Sequence, residues 1–283
     1  MEVREVEALK IDIDKVLRDK AAKYYRYIPR FVISKMERII KQKELNELLY
    51  NNRNRLGMDF ATGVIEEMNI GVEVKGLENI PSEGRFIFAS NHPLGGLDGL
   101  ALISHIGKLY DGKVKFLVND ILMEVKPLSS VFLPINKHGR QQRNSAELIN
   151  AAYAGDEQML IFPAGVCSRN YTGKKIEDLK WQKAFVSKSV EYERDIIPIF
   201  FEGVNSEFFY RVGRIRKRLG LKINIEMIYL PGEMIKSRNA NYTIWIGKPI
   251  KYTDFKDKKI IDSVSMVRNT VYNLKTTKKG ETK

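Results

Sequence analysis

The chain carries a single cysteine, Cys167, in 283 residues. No disulfide can form within it, and such usage fits a reducing compartment. Histidine is nearly as scarce, with three copies, at positions 92, 105 and 138. They are too scattered for metal-ligand spacing, so no metal is expected. No apolar run approaches the roughly 20 residues that a membrane-spanning helix needs. The opening MEVREVEALKID lacks the apolar centre of a secretion signal. Acidic residues are outnumbered, 35 Asp and Glu against 48 Lys and Arg, for a net charge of +13. These absences lead to the expectation of a cytosolic protein that touches a membrane from one side. The excess of positive charge calls for an anionic partner: nucleic acid, an anionic membrane surface or an acidic protein.

What is present is ordinary globular sequence, 43% hydrophobic, enough for a sizeable core. Residues 1–69 read as helical. Val32, Met36, Ile39 and Ile40 recur at helical spacing, as do Phe60, Val64 and Met68, and Pro29 marks a helix start or kink. From Gly71 the pattern changes. GVEVKGL, RFIFAS, VKFLV, VFLPI, MLIFP, IIPIFF, INIEMIYL and YTIWIG are short β-rich runs. Between them, LDGLALISHIG, SAELINAAYAG and LKWQKAFVSKSVEYE read as helices. A last helix carries an apolar stripe at Ile260, Val264, Val267, Val271 and Leu274. Strands alternating with helices predict an α/β fold, a mostly parallel central sheet flanked by helices over residues 70–275. A polar, flexible tail is expected over 276–283.

Two stretches carry chemistry. SNHPLGGLDG places His92 just past a strand and Asp98 near the start of a helix, the edge where open α/β sheets gather reactive groups. An imidazole can take a proton from a hydroxyl near neutral pH, and a carboxylate on its other nitrogen fixes the tautomer. That pairing suits acyl transfer to an alcohol. The plain alternative is a helix-capping Asp98 and a merely satisfied His92. The second stretch, MLIFPAGVCSRN, is again a strand running into a glycine turn. The amides of Gly165 and Val166 suit a developing oxyanion, with Arg169 close behind, or the turn simply ends a strand. Cys167 reads as a packed side chain rather than a nucleophile, and His105 as structural.

NHPLGGLDG and IFPAGVCSR, about seventy residues apart, together resemble the glycerolipid (lysophospholipid) acyltransferase superfamily over roughly residues 70–250. FLPINKHGR resembles that family's acceptor-binding block, and IIPIFFEG its last proline-containing block. Two features depart from the usual pattern. Five residues, not four, separate His92 from Asp98, and Ala164 stands where a glutamate is usual. Arg169 also lies one position late. These departures look like the hemolysin-like branch, which includes O-acyltransferases of lyso-ornithine and lyso-glycine aminolipids. The resemblance implies His92 as base and Asp98 as its orienting partner. It implies no cofactor, with an acyl-carrier-protein or CoA thioester as co-substrate. It also implies an acceptor site at Asn136, Lys137, Arg140 and Arg169, with phosphatidic acid synthesis as the alternative activity.

Two further stretches mix aromatic and basic residues: KYYRYIPRFVISK, with Tyr24, Tyr25 and Arg26, and FFYRVGRIRKRLGLK, with Phe208, Phe209, Arg214, Arg216 and Arg218. They suit an interfacial helix on anionic lipid at the inner leaflet, or an acidic acyl carrier protein. Equally they read as solvated charged faces. A non-catalytic membrane-binding protein is the alternative of another class. No nucleic-acid-binding module is recognisable, so no nucleic-acid partner is expected.

Overall fold

The structure, a computed structural model, describes residues 10–20, 22–135 and 141–277. Five helices come first: α1 (Ile13–Lys20), α2 (Ala22–Tyr25), α3 (Arg30–Ile40), α4 (Gln42–Asn51) and α5 (Gly57–Glu67). Pro29 sits at the N-cap of α3, where its fixed φ and missing N–H cost nothing. Strands and helices then alternate: β1 (Gly71–Lys75), β2 (Phe86–Ser90), α6 (Leu97–Leu109), β3 (Val114–Asn119), β4 (Phe132–Ile135), α7 (Gln141–Ala154), β5 (Gln158–Ile161), α8 (Ala184–Glu191), β6 (Asp195–Glu202), α9 (Glu207–Arg218), α10 (Leu230–Lys236), β7 (Asn241–Ile246) and α11 (Ile260–Thr277).

Among the described residues the seven strands form one sheet, in the order β1-β7-β6-β2-β5-β3-β4. Every pairing is parallel except β6 with β7. β2 lies at the centre, and all five of its residues, FIFAS, are buried. A strand covered on both faces must read as a continuous apolar run, whereas the edge strand β1, GVEVK, can alternate. Helices α5 and α6 cover one face, where Phe60, Val64, Leu97, Leu102 and Ile106 pack on Phe88 and Phe116. Helices α7, α8 and α11 cover the other, where Tyr153, Phe185, Val264 and Val267 pack on Ile87, Met159 and Ile196. The N-terminal helices thus share the core of the sheet through α5.

One strand expectation fails. INIEMIYL forms a 3-10 turn at Ile225–Tyr229 leading into α10, not a strand. The run has β-type composition, but its Glu226 is drawn into a buried ion pair with α9. The predicted tail from residue 276 overlaps α11, which continues to Thr277; the remainder lies outside the described residues.

Candidate active site

Parallel strands deliver the loops that follow them to one edge of the sheet. Central β2 hands over to residues 91–96, β5 to Phe162–Arg169 and β6 to Gly203–Asn205. Asn91 fixes the first of these. Its side-chain amide donates to the carbonyl of Phe201 at 3.0 Å, and its Oδ1 accepts the Phe201 N–H at 2.7 Å. Asn205 reaches back to the carbonyl of Pro93 at 3.0 Å. These buried amides each use both ends of their hydrogen-bonding capacity or close a loop carbonyl, so neither leaves water-starved polar groups behind.

His92 and Asp98 meet as expected. Nδ1 of His92 lies 2.9 Å from Oδ2 of Asp98. The Asp98 carboxylate is fully buried and accepts the N–H groups of Leu94 and Gly99 at 2.9 Å each. It lies in the first turn of α6, where the helix dipole favours a negative charge. A carboxylate surrounded by donors is an acceptor, so Nδ1 carries the proton and Nε2 presents a lone pair. The imidazole stacks on Phe162 with centroids 3.8 Å apart and keeps 13% of its surface open. The five-residue loop between His92 and Asp98 turns at Gly95. Its φ of +82° and its approach to Leu230, whose Cδ1 would stand 2.6 Å from a Cβ, admit glycine alone.

The second turn differs from expectation. Gly165 has φ +66°, but its N–H donates to the carbonyl of Phe162 at 2.9 Å. It therefore closes its own turn and is not free to serve an oxyanion. The Val166 N–H meets no acceptor among the described residues. Arg169 is also corrected. It is buried, its Nε lies 3.1 Å from Oε1 of Glu226, and its Nη1 donates to the carbonyl and Sγ of Cys167. Arg216 approaches the same carboxylate, Nε to Oε2 at 2.8 Å, as an ion pair not aligned as a hydrogen bond. A charge so committed does not reach for an acceptor. Burial pushes the Cys167 thiol up to about 11, which leaves it protonated and inert. His105 donates from Nδ1 to the carbonyl of Ala101, 2.9 Å away within α6, and burial lowers its pKa.

Of the expected surface residues, Tyr24, Arg26 and Arg218 are exposed, and Phe208 is partly so. Tyr25 is half-buried, its hydroxyl donating to Asp14 at 2.6 Å, and Arg214 is paired with Glu207. Phe209 and Arg216 are not surface residues. With Gly213 they form the inward stripe of α9, at helical spacing, so neither meets a membrane or carrier. Asn136, Lys137, His138 and Arg140 lie outside the described residues.

Sequence reasoning missed Asp178 and Trp181. Asp178 Oδ1 accepts the His92 main-chain N–H at 3.1 Å and the Ser168 hydroxyl at 2.6 Å, and Oδ2 accepts Trp181 Nε1 at 2.9 Å. The string DLKW in an irregular segment gives no sign of this. Beside the His92 loop opens a cleft of about 440 Å³, with Asn91, Pro93, Ser168, Phe200, Val204 and Tyr272 among its walls. The imidazole itself does not line it. Among the described residues no group of three or more His, Cys, Asp or Glu side chains is gathered so as to hold a metal ion.

Comparison with known proteins places this geometry. A model of an acyltransferase family matches residues 15–280. The lyso-glycine lipid O-acyltransferase of Bacteroides thetaiotaomicron is 46% identical over 265 residues, covering 93% of this chain and 97% of that protein. Its namesake in Phocaeicola vulgatus is 48% identical over 265 residues, covering 93% and 95%. Among solved structures, the 1-acyl-sn-glycerophosphate acyltransferase of Thermotoga maritima aligns over 94% of this chain and 98% of its own, with 16% identity and a TM-score of 0.44.

Proposed function

The chain belongs to the acyltransferase family, and from that premise we propose that it moves a fatty acyl group from a thioester to the hydroxyl of a lyso-glycine type aminolipid. The observation that carries the chemistry is the His92–Asp98 pair at the exit of the central strand. Nε2 of His92 takes the proton of the acceptor hydroxyl. The alkoxide attacks the thioester carbonyl carbon, and the tetrahedral oxyanion collapses with loss of the thiolate. That thiolate recovers the proton from the imidazolium. Asp98 holds the Nδ1 tautomer and stabilises the imidazolium while it exists. The Val166 N–H is the donor offered to the oxyanion, and the acyl donor is a carrier-protein or CoA thioester. The acceptor class rests on the activity for which the two relatives are named and on Ala164, which offers no carboxylate to the site.

The acceptor is a membrane lipid, so the protein works at a bilayer, on its cytoplasmic face. No helix among the described residues is long and apolar enough to cross a membrane. Leu219 and Ile223 are 66% and 78% exposed, and the stretch from Phe208 to Ile225 holds no acidic residue. Exposed aliphatic side chains ringed by Lys217, Arg218 and Lys222 suit an anionic lipid surface.

The test incubates purified protein with long-chain acyl-carrier-protein or acyl-CoA and with lyso-glycine lipid, lyso-ornithine lipid or lysophosphatidic acid. Acylation of the glycine lipid is expected, falling on the order of 10²–10⁴-fold in His92→Ala. Transfer to lysophosphatidic acid alone overturns the acceptor. Full activity of folded His92→Ala overturns the mechanism.

A further inference from the structure

We propose that Asp178 is the positioning residue of the catalytic histidine: its carboxylate, clamped between the two motif turns, fixes the backbone from which the His92 imidazole projects. This inference rests on the acyl-transfer reading for its kinetic part and on geometry alone for its structural part.

His92 is held at both of its main-chain groups. Its N–H donates to Asp178 Oδ1 at 3.1 Å, and its carbonyl accepts the Ser168 N–H at 2.6 Å. Ser168 in turn donates its hydroxyl to the same Asp178 oxygen. One carboxylate oxygen therefore ties the loop after β2 to the turn after β5. The other oxygen is fixed by the indole of Trp181. The Asp178 main chain is anchored independently: its N–H donates to the Tyr272 hydroxyl at 2.7 Å, and Arg268 donates to its carbonyl at 3.3 Å. Both partners lie on α11, which packs on the sheet. The clamp is thus referred to the rigid core and not to a loop.

Three neutral donors converge on this buried carboxylate, and no arginine or lysine pairs with it among the described residues. Burial raises its pKa. Retaining an acidic group in such a place costs stability. A side chain that accepts at both oxygens, from one donor on each of the two turns and a third, Trp181, on its own segment, is what that cost secures. An amide cannot do the same. Asparagine accepts at one end only, and its NH₂ would face either the Trp181 indole N–H or the His92 and Ser168 donors. The ring of His92 has few other restraints: Asp98 at Nδ1 and the face of Phe162. Tilting the backbone beneath it moves Nε2 away from the hydroxyl it must deprotonate, and displacements of about 1 Å cost on the order of 10²-fold in rate.

The experiment compares wild type with Asp178→Ala, Asp178→Asn, Ser168→Ala and the pair Asp178→Asn with Trp181→Phe. Each is assayed for acyl transfer to lyso-glycine lipid, and each is recorded by ¹⁵N-histidine NMR, in which only three imidazoles appear. Asp178→Ala and Asp178→Asn are expected to lose tenfold to a hundredfold in kcat with the acceptor KM within about twofold of wild type. The His92 imidazole resonances are expected to shift or broaden, while those of His105 stay in place. Adding Trp181→Phe removes the donor that opposes the asparagine NH₂, so the pair recovers part of the activity lost by Asp178→Asn. Ser168→Ala removes one donor from the same oxygen and carries the test if the Asp178 variants fail to fold; a smaller kcat loss and the same NMR shift are expected. Wild-type kcat and an unchanged His92 spectrum in the folded variants overturn the proposal, as does a loss confined to KM or to thermal stability. If wild type itself acylates no acceptor, the acyl-transfer reading falls, and the NMR comparison still decides whether Asp178 holds His92.

Discussion

Three rare side chains, His92, His105 and Cys167, have fates set by their surroundings. His92 keeps an open ring nitrogen because a buried carboxylate takes the other. Cys167 is sealed, with its thiol pushed up to about 11 by burial. Iodoacetamide at neutral pH is therefore expected to leave the native protein unlabelled and fully active. Labelling at Cys167 should appear only on unfolding, read by intact mass. His105 titrates in the opposite direction from a salt-bridged histidine. Burial lowers its folded pKa below the ordinary 6.5, so below about pH 6.5 the unfolded chain binds a proton that the native one refuses. Its contribution to stability is complete above that pH and is lost as the pH falls from there toward the folded pKa. His105→Asn is expected to flatten the melting temperature between pH 7 and pH 5 relative to wild type.

At the scale of elements, helix ends and loop crossings do the work that secondary-structure patterns cannot show. Arg194, fully buried before β6, donates to the carbonyls of Ala152, Tyr153, Gly155 and Glu157. These are the orphan acceptors at the C-terminus of α7 and the turn beyond it. Its burial among carbonyls lowers its pKa to about 10, leaving it charged at neutral pH. Arg194→Met strands these acceptors and is expected to cost more than about 2 kcal/mol in urea unfolding. Lysine, a point donor without the planar fork, recovers only part of that. A similar logic ties α9 to the second motif. Glu226 is buried between Arg169 and Arg216, so two arginines that look free in sequence are spent on holding the α9 region against the turn at Cys167.

For the whole molecule, the excess of positive charge becomes informative once the buried arginines are set aside. Arg169, Arg194 and Arg216 lie inside, while Lys217, Arg218 and Lys222 remain outside beside Leu219 and Ile223. Cosedimentation with vesicles containing phosphatidylserine is expected, weaker on phosphatidylcholine alone. Leu219→Ser with Ile223→Ser should reduce binding at every ionic strength. Salt near 1 M, where the screening length falls to about 3 Å, should reduce the wild type toward its phosphatidylcholine level. Equal binding to neutral and anionic vesicles would remove the charged surface from the account.

Local pattern was enough for much of this protein. The alternation of apolar runs with amphipathic stretches determined the α/β architecture, because a central strand buried on both faces must be apolar throughout and a helix on the sheet must be amphipathic. A histidine, two glycines and an aspartate at a strand exit marked the hydrogen-bonded His92–Asp98 pair, because those residues are neighbours along the chain and six positions are easily closed by a turn. Tertiary structure alone decided the partners that come from far away. INIEMIYL has strand composition, yet Glu226 is pulled into an ion pair with residues 57 and 10 positions distant. Phe209 and Arg216 read as surface until the inward face of α9 is known. Gly165 reads as an oxyanion donor until its N–H is seen closing its own turn. Asp178, 86 residues beyond the histidine it holds, shares no periodicity and no motif with it. Hydrogen bonds of that kind are specified by the folding of the sheet that brings two loops together, and no local pattern of residues records them.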